Sequence, residues 1–134
     1  MNEEAAAIFC ELARPIHPGH IKQRRQGSIQ VDYIPWHCIA RHLSHRCTHG
    51  WEWSIDEVTT LGDWVMARGT LTIHTPDGAY TYTGVSSEPL TSADSKGAPP
   101  IETACSRALA RAAALTGLGI SLYDPKPPTN GAKQ

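Results

Sequence analysis

A chain of 134 residues with 40% hydrophobic content suits a single domain with a modest core. Its formal net charge of −1 argues against a uniformly basic nucleic-acid coat. No stretch approaches the roughly 20 apolar residues of a membrane span, and the Met-Asn-Glu-Glu start lacks the basic-then-apolar order of a signal peptide, so a cytoplasmic protein is expected (nucleoid-associated if bacterial).

Charge is segregated along the chain. Residues 1–13 carry Glu3, Glu4 and Glu11 and no base. Residues 14–46 carry Arg14, Lys22, Arg24, Arg25, Arg41 and Arg46 against Asp32, a balance of +5. Residues 47–94 set seven carboxylates against Arg68, a balance of −6, and the remainder returns to +3. Such a distribution places a basic strip on an acidic body, where it steers polyanions; solvated faces that merely differ in sign give the same pattern. The four cysteines, Cys10, Cys38, Cys47 and Cys105, form no CxxC pair and read as buried or free thiols of a reducing compartment.

Glu3 to Ala13 reads as a short helix with Ile8 and Leu12 on one stripe, ended by Pro15. Residues 15–27 are rich in His, Lys and Arg and are expected to be irregular or a single turn. Ser28 to Ile34 alternates as a strand, with Ile29, Val31 and Tyr33 on one side. Pro35 suits a first helical turn, and a helix follows from Trp36 to about Cys47 with an apolar stripe of Trp36, Ile39, Ala40, Leu43 and Cys47. Gly50 closes it.

Three strands are predicted next. Trp51, Trp53 and Ile55 alternate with polar residues, Leu61-Gly62-Asp63 turns, and Trp64 to His74 alternates along its length. Thr75-Pro76-Asp77-Gly78 is a strong turn signal, and Ala79 to Val85 returns. Glu88 to Pro100 is polar and expected to be a mobile loop. Ile101 to about Thr116 is a helix with a stripe of Ile101, Ala104, Cys105, Ala108, Ala112 and Leu115, stopped by Gly117 and Gly119. Pro125 to Gln134 reads as a disordered tail.

The last helix is alanine-rich, so another backbone can approach it closely. Arg107 and Arg111 stand one turn apart, point the same way and avoid the apolar stripe, which lets them reach a phosphate; as ordinary surface arginines they would look the same. His37, Cys38, His42, His45, Cys47 and His49 crowd one segment, but without a CxxC pair or the paired ligands of two separated knuckles no metal site is assigned there. No Gly-x-Ser-x-Gly elbow, GxxxxGK[ST] or GxGxxG occurs, so no catalytic residue and no cofactor are expected. The aromatics Trp36, Trp51, Trp53, Trp64, Tyr80 and Tyr82 suit base stacking in principle, with core or interface packing the commoner role.

Four segments, taken in order, resemble the Rad fifty-two family of single-strand annealing proteins, the Rad twenty-two type and its bacterial DNA-damage-response and phage relatives included. Tyr33-Ile34-Pro35-Trp36-His37 is similar to that family's Tyr-Ile-x-x-His, where a strand passes into a helix. Gly50-Trp51-Glu52-Trp53-Ser54-Ile55 resembles its Gly-Trp-x-x-Ser-Ile strand entry, and Asp77-Gly78 through Gly84-Val85-Ser86 its hairpin and Gly-Val-Ser exit. Ala108 to Asp124 resembles the helix ending its annealing domain, approximately Ala-Leu-Lys-Arg-Ala and then Phe-Gly with a short apolar end. The resemblance runs over about residues 8 to 124.

It implies single-stranded DNA binding and annealing of complementary strands in recombination and repair, by an oligomeric ring or filament with a basic outer groove. Arg111 falls on the arginine of the family's Lys-Arg pair, whereas Ala110 replaces the lysine and Arg107 stands one turn earlier. Arg24 or Arg25 lies near an upstream arginine, Tyr33 matches a tyrosine, and Lys22 and Lys96 complete the candidate DNA-binding set. The implied partners are single-stranded DNA, further copies of the chain, and other recombination or single-strand-binding proteins. The expected fold is α+β over residues 1–124: an antiparallel meander of three to four strands packed by helices, in the order α-β-α-β-β-β-α, with a double-stranded-RNA-binding-domain-like core. The competing reading is a monomeric or dimeric duplex-RNA-binding-like or zinc-stabilised adaptor.

Overall fold

A computed structural model describes residues 1–26, 28–91 and 99–124 of the chain. The helices are α1 (Glu3–Leu12), α2 (Trp36–Arg46) and α3 (Pro100–Thr116). The strands are β1 (Lys22–Gln26), β2 (Ile29–Tyr33), β3 (Trp51–Leu61), β4 (Trp64–Thr75) and β5 (Gly78–Pro89). Short 3-10 turns occupy Pro18–His20 and Ile120–Tyr123. The class is α+β, with one strand more than expected and two separate antiparallel sheets, β1-β2 and β3-β4-β5. The tail at 125–134 lies outside the described residues. Among those described, no helix is long and apolar enough to cross a membrane.

The main sheet follows from the alternation in β4. Val65, Ala67, Gly69, Leu71, Ile73 and Thr75 are buried, and every residue between them is half-buried. A period of two sends successive side chains to opposite faces. The inner face meets Ile8 and Leu12 of α1, Ile39 and Leu43 of α2 with Cys47 at its end, and Leu109, Ala112 and Ala113 of α3 in one core. Phe9 extends that core edge-on to Tyr80 of β5, with ring centroids 5.3 Å apart. The outer face carries much of the acidic segment: Glu52 meets His74, Glu57 meets Arg68, and Asp56 accepts from Thr70 Oγ1 at 2.5 Å. The Thr70 and Ser54 hydrogen bonds hold the Asp56 carboxyl below the usual carboxylate range.

Helix α1 begins on Asn2, whose side chain accepts from the Ala5 amide at 2.8 Å. At its other end Arg46 donates from Nη1 to the carbonyls of Glu11, Leu12 and Arg14 at 3.1, 3.2 and 2.9 Å. One guanidinium therefore satisfies carbonyls that the end of a helix leaves open and ties α2 to α1.

Helix α3 lies on β5 and β4, and its small residues set how close it comes. Gly84 of β5 and Gly69 of β4 are register partners. A Cβ on Gly84 would stand 2.0 Å from the Ala108 carbonyl oxygen, and one on Gly69 would stand 2.4 Å from the Trp53 ring. Thus the alanine-rich helix presses its backbone against Gly84, while Gly69 makes room for the Trp53 ring. Gly117, at φ +109 in the left-handed region, ends the helix with its amide bonded back to the last turn.

Several expectations need correction. Residues 15–27 are not irregular throughout: they hold the Pro18–His20 turn and β1. Lys-Gln-Arg-Arg-Gln has no apolar alternation to signal a strand, and it forms one because β2 offers a ladder from Lys22↔Tyr33 to Gln26↔Ile29. This hairpin stands apart from the main sheet, so Ile29 is exposed and Val31 and Tyr33 are only half-buried. Trp36 belongs to no buried stripe; it is 57% exposed, while Ile34 and Ile39 occupy the neighbouring core positions. Ile101 and Leu115 are exposed too, because the buried side of α3 is turned onto Ala104, Ala108, Leu109, Ala112 and Ala113. Finally, β5 continues to Pro89, so Glu88 is a buried strand residue and not the start of a loop.

Candidate nucleic-acid interface

The β1-β2 hairpin, the start of α2 and one flank of α3 enclose a groove of about 450 Å³. Four of the expected DNA-binding residues line it: Arg24 and Tyr33 from the hairpin, Arg107 and Arg111 from α3. In the hairpin register Arg24 faces Val31 and Lys22 faces Tyr33, which makes Arg24 and Tyr33 diagonal neighbours on one face. The Arg24 guanidinium lies 5.9 Å from the Tyr33 ring centroid, a cation–π contact. Between Arg24 and Arg25, only Arg24 lines the groove; Arg25 and Lys22 are exposed hairpin residues outside it. Lys96 lies outside the described residues.

The two α3 arginines do not have equal freedom. Arg107 pairs through Nη1 with Glu88 Oε2, and that carboxylate is buried. Much of the Arg107 charge is therefore answered inside the protein. Arg111 is exposed and donates from Nη1 to the Val85 carbonyl at 3.0 Å, which leaves its other donors without a protein acceptor among the described residues. Both arginines also bind the helix to β5. Asp32 and Glu102 line the groove as well, so its field is mixed, with Asp32 accepting from Gln23 Nε2 at 3.1 Å. Residues 32, 33, 36, 37, 119, 122 and 123 come to the groove because β2 runs directly into α2, and because Gly117 and Gly119 fold the chain back after α3.

Sequence reasoning missed three features of this region. Glu88 is hidden among Ser, Asp and Pro residues that suggest a loop. Tyr123 lines the groove from the 3-10 turn after α3. His20 Nδ1 and His42 Nε2 stand 3.1 Å apart, which fastens the Pro18–His20 turn just before β1 to α2. His17 Nδ1 accepts from the Gly19 amide at 2.9 Å and closes that turn. Cys47 is buried and its thiol is pushed up to about 11 by burial. Among the described residues no three His, Cys, Asp or Glu side chains converge to hold a metal ion.

Burial, aided by the neighbouring Arg46, His20 and His45 charges, holds the His42 imidazole below its usual value near 6.5. A histidine with a lowered folded pKa binds fewer protons folded than unfolded, so its contribution is present above pH 6.5 and is lost as pH falls through the lowered value. The midpoint of thermal unfolding should drop between pH 7.5 and 5 on the order of magnitude of ordinary histidine linkage. His42→Gln should flatten that limb of the profile, measured by circular dichroism at each pH. An unchanged profile in the variant would assign the drop to other groups.

The chain matches no family model and no curated protein.

Proposed function

We propose that this chain binds single-stranded DNA and anneals complementary strands, acting as a homo-oligomeric ring or filament in recombination and repair and catalysing no reaction. The observation that carries this reading is the convergence of Arg24 and Tyr33 with Arg107 and Arg111, from segments far apart in sequence, around one groove on an acidic protein. A groove of that kind suits the task. Cations that meet phosphates hold a strand of any sequence, and a second strand supplies the sequence check by base pairing.

Assembly is supported by surfaces of the main sheet. The outer edges of β3 and β5 have no strand partner among the described residues, and Leu61 and Trp64, register partners at the β3-β4 end, are both exposed. Unpaired strand edges favour self-association. On this reading the β-sheet core is of the double-stranded-RNA-binding-domain type, and other recombination or single-strand-binding proteins are partners.

The test is an annealing assay with complementary oligonucleotides, comparing wild type with Arg111→Ala and Arg111→Lys. Wild type should sediment as a large oligomer, accelerate annealing and bind more weakly as salt rises. Removing one phosphate contact should lower the slope of log affinity against log salt by about 0.7. Arg111→Lys should keep most of that slope. If Arg111→Ala melts earlier yet anneals with an unchanged salt slope, Arg111 serves only its bond to Val85.

A further inference from the structure

The indole of Trp36 is 57% exposed at the first position of α2, directly after Pro35. Its neighbours show that burial was within reach, since Ile34 and Ile39 are 7% and 2% exposed. Trp36 instead lines the groove that holds Arg24, Tyr33 and Arg111, and Tyr123, 54% exposed, lines it from the turn after α3. His37 meets the Trp36 ring at 89° with centroids 6.0 Å apart, a perpendicular contact that limits the indole's freedom. The resemblance drawn from the sequence leaves this position open, as one of the two unspecified residues of its Tyr-Ile-x-x-His.

A large exposed aromatic ring beside cationic groups has a specific chemical partner. The purine and pyrimidine rings of an unpaired strand stack on an indole face, while the adjacent phosphates meet guanidinium groups. Such stacking tolerates any base, because every base has a π face. Resting on the reading of the groove as a single-strand site, we propose that Trp36 is a stacking platform for a nucleobase. The groove then grips the strand through one or more bases as well as through its phosphates. The phosphate-only mode implied by the family resemblance leaves every base outward; stacking at Trp36 takes at least one base out of the presented set.

The test uses the full chain and two labelled strands of equal length, an oligothymidylate and one whose bases are replaced by abasic residues. Binding is followed by fluorescence anisotropy at several salt concentrations. Wild type should prefer the base-bearing strand by roughly five- to 150-fold, the range of one stacked base. Trp36→Ala should lose that preference while keeping its affinity for the abasic strand, its salt slope and its melting temperature. Trp36→Phe should retain part of the preference. Equal binding of both strands by wild type overturns the stacking role and leaves the groove reading intact. Failure to bind either strand overturns both. If Trp36→Ala instead disperses the oligomer and weakens both strands equally, the indole is a contact between copies and the stacking role is overturned.

Discussion

Glu88→Ala should lower the free energy of unfolding by about 3 kcal/mol, near the bottom of the range for breaking one side of a buried ion pair. Glu88 is 7% exposed and bonded to Arg107, so its removal leaves a guanidinium facing an empty carboxylate site. The Arg107 side chain keeps 26% of its surface in water, and that partial hydration places the effect near 3 rather than 5 kcal/mol. Chemical denaturation of the variant measures this directly. The double variant Glu88→Leu/Arg107→Met should recover most of the loss, since apolar replacement of both partners removes the unpaired charge. A loss in Glu88→Ala below about 0.5 kcal/mol, the size of an ordinary surface effect, would place the pair outside the folded core's energetics. The same pair bears on function. Glu88→Gln removes the countercharge, so under the proposed reading it should strengthen single-strand binding at low salt even as it weakens the fold.

Gly84→Ala should cost about 3 kcal/mol, the upper part of the range for overpacking. The added methyl would meet the Ala108 carbonyl oxygen at 2.0 Å and the Ala112 amide nitrogen at 2.9 Å, and both are backbone atoms. No rotamer change relieves such a clash; α3 as a whole must rise from the sheet. Because α3 carries Arg107 and Arg111, that displacement also moves one side of the groove, so single-strand binding should weaken in parallel with stability. Gly62→Ala is the contrast. Nothing stands within 4 Å of its Cβ, and its cost is confined to a φ of +59, about 1 to 2 kcal/mol for a residue other than glycine. A loss in Gly84→Ala no larger than that in Gly62→Ala would show that α3 yields to the added methyl at little cost.

Where the sequence was legible, one periodicity faced one core. The alternation of β4 and the i, i+4 pair of Ile8 and Leu12 in α1 predict elements that the structure contains, because each buries one apolar face against a common core. Local turn chemistry also sufficed at Thr75 to Gly78 and at Gly117. The pattern failed where burial was decided by distant segments. Strand β1 has no apolar alternation because neither of its faces enters the main core; it exists only through its ladder with β2. Glu88 looked like a loop residue because a lone carboxylate in a polar run has no local signal of burial. Its partner lies 19 residues away on α3.

The candidate site divides in the same way. Spacing alone marked Arg107 and Arg111 as a same-side pair, charge segregation pointed to the basic segment that holds Lys22, and the family resemblance drew attention to Arg24, Arg25 and Tyr33. Their inequality belongs to tertiary structure. Hairpin register turned Arg24 toward Tyr33 and the groove and left Arg25 outside, while a buried carboxylate claimed Arg107 and a strand carbonyl took one donor of Arg111. By itself, then, the sequence determined the α+β class, the meander, the thin helix and the segregation of charge, all of which depend on neighbours a few residues away. Which cations keep their charge for a ligand, and whether Trp36 enters the core or the groove, only the tertiary structure decided. Desolvation and pairing are set by whatever arrives from elsewhere in the chain.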